Sequence, residues 1–175
     1  PFNTTSLMAA ASSIGIKPAR TMRIAESLYM NGYTSYPRVD NTVYPEGLDL
    51  RGVLDILAKV PDFREGAEAL LAKGKLTATR GKQETTDHPP IYPTGAADPD
   101  KLRPEEWKLY SLICRRFMAT LSEAAVLEST KVTLDVAGEP FTARGDVLVE
   151  PGYRSVYPYD LKKDEQMPPL VEGQT

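Results

Sequence analysis

The 175-residue chain holds a single cysteine, a single histidine and a single tryptophan. One cysteine excludes an intrachain disulfide framework and a cysteine metal cluster, and one histidine excludes a histidine cluster. Any Ser-His or Cys-His arrangement can draw only on His88. No apolar run of about 18 residues occurs, so no transmembrane helix is expected. Positive charge is not in excess either: 21 Lys and Arg face 24 Asp and Glu, a net charge of −3. That balance argues against a free-standing nucleic-acid binder, whose footprint is basic. The opening PFNTTSLM has no initiator methionine, basic leader or apolar signal core, so a piece of a longer polypeptide is expected.

What is present describes a globular domain. With 41% apolar and 26% charged residues, a chain of this length buries roughly two thirds of its unfolded surface. TSLMAAASS, capped by Asn3 or Thr4 and stopped by Gly15, predicts a first helix. Pro18 opens a second, PARTMRIAESLYM, with Ala19, Met22, Ala25, Leu28 and Tyr29 as its apolar stripe and Asn31-Gly32 as its end. GLDLRGVLDILAKV and DFREGAEALLAKG predict two more, divided at Pro61. A loop follows over residues 74–101, and Pro104 then begins a long helix. Its expected core face carries Trp107, Tyr110, Leu112, Cys114, Phe117 and Leu121, with Cys114 a buried, inert thiol. After Ser122 the period shifts to two, and LESTKVTLDV, PFTARGDVLV and GYRSVYPY predict three strands. The class is α+β, with a helical domain over residues 1–123 and a β-rich unit over 124–175. Three strands make a meagre sheet, so further strands from elsewhere are expected to complete it.

Two stretches carry candidate chemistry. GYTSYPRVDN, residues 32–41, is held extended at its centre because Pro37 disfavours a helical Tyr36. A two-residue period then places Thr34, Tyr36, Arg38 and Asp40 on one face, and Tyr33, Ser35, Pro37 and Val39 on the other. A phenol beside a guanidinium suits phosphoryl chemistry. With a pKa of about 10, only ~0.1% of a free phenol is ionised at neutral pH. A nearby cation favours the phenolate, and the arginine fork fits phosphate oxygens without serving as a base. The alternative is a Tyr36 ring packed inward with Arg38 paired to Asp40. The second stretch, TTDHPPIYPTG at residues 85–95, holds His88 extended ahead of two prolines. His88 either meets a phosphate or relays a proton, or it simply bonds a neighbouring loop carbonyl. Lys17, Arg20 and Arg23 fall near one helix face that either touches phosphates or is merely solvated. Arg80 with Lys82, and Arg115 with Arg116, are further basic pairs, the last flanking a core helix.

PFNTTSL leading into a helix, then LYMNGYTSYPRVDN, then DHPPIYPT, resemble in order and spacing the central region of type IA DNA topoisomerases, the archaeal members in particular. FTARGDVLVEPGYRSVYP is similar to part of that family's β-rich arch. The resemblance implies a winged-helix-like helical domain joined to a partial arch. It implies that Tyr36 attacks a DNA backbone phosphate, leaving a 5′-phosphotyrosyl link and a free 3′-hydroxyl. It gives Arg38 a charge-stabilising or positioning role, Asp40 a positioning role and His88 a phosphate contact, with Lys17 and Arg20 as further DNA-binding candidates. It implies Mg2+ held by a domain outside this stretch and no metal site within it. The implied partners are single-stranded DNA and the remaining domains of the same polypeptide, in the cytoplasm at the chromosome. Two other readings stay open: a non-catalytic winged-helix nucleic-acid-binding module, and a protein-interaction domain whose Tyr36 face is a partner surface.

Overall fold

The computed structural model describes residues 1–159. Five α-helices come first: α1 Thr4–Ser13, α2 Pro18–Met30, α3 Leu50–Ala58, α4 Pro61–Leu71 and α5 Pro104–Thr120. An antiparallel pair follows, β1 Val126–Val136 and β2 Glu139–Glu150. The chain is α+β, as the sequence implies. The expected β-rich unit from residue 124 extends, from residue 160 onward, outside the described residues.

Local chemistry places the helix ends. The Asn3 side chain accepts from Ser6 N–H while the Ser6 hydroxyl accepts from Asn3 N–H, both at 2.9 Å, satisfying two orphan donors of α1. Prolines stand at the first positions of α2, α4 and α5, where the missing N–H costs nothing. The Asp49 carboxylate caps α3 through Gly52 N–H.

α1, α2 and α4 pack against α5, and α3 packs against α4. Leu109, Tyr110, Leu112, Cys114 and Phe117 on α5 are fully buried, so the core surrounds the helix and is not confined to one stripe. Burial pushes the Cys114 thiol far up, which keeps it protonated and inert. The stripe of α2 differs from expectation: Thr21, Ile24, Ala25 and Leu28 face inward, while Ala19 and Tyr29 are exposed. The face of α2 that meets α5 carries Arg20 and Ser27, which bond Glu105 and Glu106.

GYRSVYPY is not a strand. Its first residues form a 3-10 turn, Gly152–Ser155. Tyr153, Val156 and Tyr157 fall at i, i+3 and i+4, the spacing of a helical face, and they pack onto the helical body. Tyr153 N–H donates to the Glu123 carbonyl at 2.8 Å, and the Arg116 guanidinium is sandwiched between the rings of Phe2 and Tyr157. Gly152, at φ +48°, lies where a Cβ would come within 2.4 Å of the Ala124 carbonyl oxygen. The chain thus leaves the body at Ala124 and returns beside it, with the β1–β2 hairpin projecting between. Ala137 and Gly138, both at positive φ, make its two-residue turn. One hairpin face pairs Leu134 with Phe141 and Val132 with Ala143; the other pairs Lys131 with Arg144 and Thr133 with Thr142. Leu134, Val136 and Phe141 stay largely exposed.

Candidate active site

Two segments distant in sequence converge on GYTSYPRVDN. From α1, the Thr4 hydroxyl donates to the Pro37 carbonyl at 2.7 Å and accepts from Val39 N–H at 2.8 Å, and Thr4 N–H donates to the Val39 carbonyl. From the proline-rich loop, the Tyr92 carbonyl accepts from Ser35 N–H, and Tyr92 N–H returns a bond to the Ser35 hydroxyl. Single bridges join Phe2 to Ile91 and Thr34 to Pro93. Asn41 closes the far end, its carboxamide donating to the Thr85 and His88 carbonyls. Gly32, at φ +76°, turns the chain out of α2 into this strand. A Cβ on Gly95 would meet the Gly32 carbonyl at 2.5 Å, so the two backbones close on each other.

Held this way, the strand buries Pro37 and Val39 and exposes Arg38 and Asp40, with Tyr36 half-buried. The expected alternation holds over residues 36–40. It fails at Thr34, which is buried because the bridge to Pro93 draws it inward.

The Tyr36 ring stands between two others. Tyr29, from the last turn of α2, meets it edge-on at 5.4 Å, and His88 lies at 4.8 Å with the rings tilted by 47°. The two chemically suggestive stretches of the sequence are therefore one place. Arg38 is paired with Glu26 of α2 and not with Asp40: its Nε donates to Glu26 Oε1 at 2.9 Å, and its Nη2 donates to the same oxygen. Asp40 is exposed, and its carbonyl accepts from the Asn3 side chain. Lys17 is exposed at the start of α2, about 18 Å along the helix axis from Tyr29. Arg20 forms an ion pair with Glu105 of α5 at 2.7 Å. Neither of these two cations has a contact with Tyr36, Arg38 or His88 among those of the described residues.

Glu26 and Asn41 have no assigned role in the sequence reading, and Tyr29 stands there only in the apolar stripe of α2. Glu26 and Tyr29 are three apart on a helix and so share a face, but nothing in that spacing pairs Glu26 with Arg38 across the helix end. Asn41 was visible as the last residue of the motif, with nothing in its spacing to pair it with residues 85–88. Among the described residues, no group of three or more His, Cys, Asp or Glu side chains could hold a metal ion. No helix among them is long and apolar enough to cross a membrane.

Tyr36 thus stands half-buried between Tyr29 and His88, on a strand tied to α1 and to the proline-rich loop. The family model described as DNA topoisomerase matches residues 1–175, and the chain belongs to that family, in its type IA class. DNA topoisomerase 1 of Archaeoglobus fulgidus is 46% identical over 173 residues, covering 99% of this chain and 26% of that protein. DNA topoisomerase 3-beta of Drosophila melanogaster is 38% identical over 174 residues, covering 98% of this chain and 20% of that protein. The chain thus spans about a quarter or less of the length of these relatives.

Proposed function

We propose that this segment supplies the nucleophile and part of the phosphate site of a type IA DNA topoisomerase. The Tyr36 oxygen attacks a backbone phosphorus of single-stranded DNA. A Tyr36 O–P bond forms, the P–O3′ bond breaks, the phenol gives up its proton, and the 3′-oxygen leaves as a hydroxyl. Religation reverses each step. One phosphodiester replaces another, so the bond energy is nearly level and no nucleotide cofactor is needed. Rate then depends on in-line placement and on stabilising charge at phosphorus. The observation that carries this reading is the placement of Tyr36 between Tyr29 and His88, with Arg38 two residues on.

Arg38 presents its fork to a phosphate oxygen, and His88 reaches the same phosphate. Glu26 holds Arg38 until DNA arrives. That pair is 59% and 42% exposed, and such pairs contribute about 0.2–1 kcal/mol. A bidentate, charge-assisted contact to phosphate outweighs it. Magnesium and its carboxylates belong, in this reading, to the remaining domains of the polypeptide, as does the channel that leads single strands to Tyr36. The helical body swings away on the β-rich arch, strands pass, and negative supercoils relax. The enzyme works in the cytoplasm, on the chromosome.

Incubating the full-length protein with labelled single-stranded DNA and trapping covalent adducts tests this directly. The wild type is expected to form an adduct, and Tyr36→Phe to form none. An undiminished adduct in Tyr36→Phe would rule out the assignment.

A further inference from the structure

We propose that Asn41 is a positioning residue for strand cleavage, holding the turn at residues 85–88 so that His88 lies against Tyr36. The inference rests on Tyr36 being the nucleophile and adds a residue to that site. Asn41 is 4% exposed, and its carboxamide is used at both ends. Nδ2 donates to the Thr85 carbonyl at 2.9 Å and the His88 carbonyl at 3.0 Å, while Oδ1 accepts from Val43 N–H at 2.9 Å.

The chemistry of the turn explains why a carboxamide stands there. His88 is followed by Pro89 and Pro90, which have no N–H, so this stretch can be anchored chiefly through its carbonyls. An anchor must therefore donate, and anchoring two carbonyls takes two donors. A neutral side chain with an NH2 group meets both needs without burying a charge. Aspartate has no donor when ionised, and serine has one. Ser35 adds a single further donor to the Pro90 carbonyl at 3.3 Å.

Packing does little to hold the turn instead. A depression of about 370 Å³ is lined by Asn41, Val43, Pro45 and residues 84–89, and His88 itself is exposed. Without the carboxamide the turn has room to shift, and the imidazole shifts with the His88 backbone. A displacement on the order of 1 Å at a reacting centre can cost up to about 100-fold in rate.

A double-mutant cycle in the full-length protein tests this, with adduct formation on a labelled single-stranded oligonucleotide as the readout. Asn41→Ala is expected to lower kcat at least about tenfold with KM changed less than about twofold. In the His88→Ala background the same substitution is expected to cost nothing further, because the residue it positions is gone. Full loss from Asn41→Ala in that background, a loss confined to KM, or no loss from Asn41→Ala alone would overturn the proposal. If Asn41→Ala fails to fold, Asn41→Ser, which keeps one donor, enters the same cycle with a smaller expected loss and the same criterion. Tyr36→Phe runs alongside. If it still forms adduct, the nucleophile assignment fails and this proposal with it; if its adduct is lost while the cycle is additive, only Asn41 positioning fails.

Discussion

At the scale of single residues, Arg38, two positions after the proposed nucleophile Tyr36, is already engaged. Both nitrogens that Arg38 turns toward α2 donate to one oxygen of Glu26. The cation is thereby held at the strand, and in the proposed reading phosphate competes with a carboxylate for it. Glu26→Gln removes the competing charge and leaves a side chain of the same shape. In the full-length protein it is expected to tighten single-stranded DNA binding by up to about fivefold, the equivalent of a surface pair worth at most ~1 kcal/mol. Fluorescence anisotropy at low salt reads this, and weaker binding would contradict the competition. Tyr36 and His88 were legible in the sequence because each stands in a dense local pattern. Glu26 was not, because its partner lies twelve residues on and across a helix end, beyond the reach of helical periodicity. The sequence-level alternative that pairs Arg38 with Asp40 treats neighbours on one strand face as partners. The structure puts α2 against that face, and Glu26 takes the guanidinium.

At the scale of elements, the start of α5 shows how a buried acid is kept charged. Glu106 is 7% exposed; its Oε2 accepts from Arg103 N–H at 3.0 Å, and its Oε1 accepts from the Arg103 guanidinium at 2.6 Å and the Ser27 hydroxyl at 3.2 Å. The Arg103 bond, foremost, lowers its pKa from the ordinary 4.5 to about 2. A carboxylate whose pKa falls on folding stabilises the fold fully above the unfolded value, and that contribution is lost as pH drops through the folded one. Glu106→Gln is therefore expected to cost about 1–3 kcal/mol at neutral pH. The gap from wild type should shrink as pH falls from about 4.5 toward 2 in urea titrations. A gap that is independent of pH over that range would contradict the charge-based role. The helices were readable because prolines and the Asn3 cap punctuate the chain, whereas the Asp49 cap lies inside the expected helix GLDLRGVLDILAKV and marks a later start, at Leu50. GYRSVYPY was misread because eight residues accommodate both a period of two and a period near 3.6. What decides between them is the packing of Tyr157 under the Arg116 guanidinium, a tertiary contact that no local pattern reveals.

At the scale of the whole molecule, the convergence of PFNTTSL, GYTSYPRVDN and DHPPIYPT gives their joint presence a physical cause. Thr4, Ser35 and Asn41 tie them into one surface that carries Tyr36. The hairpin presents Leu134, Val136 and Phe141 to solvent, and a two-stranded ribbon needs further strands or a packing partner for stability. A net charge of −3 supplies little electrostatic attraction for DNA. The 175-residue chain alone, with magnesium, is therefore expected to leave supercoiled plasmid unrelaxed on agarose gels; robust relaxation would contradict the assignment of metal and strand channel to the remaining domains. The most direct measurement of the central claim is the site of covalent attachment. Full-length protein is reacted with single-stranded DNA, trapped and digested, and the peptide carrying nucleotide is sequenced by mass spectrometry. Of the nine tyrosines in the chain, Tyr36 is expected to bear the 5′-phosphate; a modification on any other residue, or none at all, would contradict it.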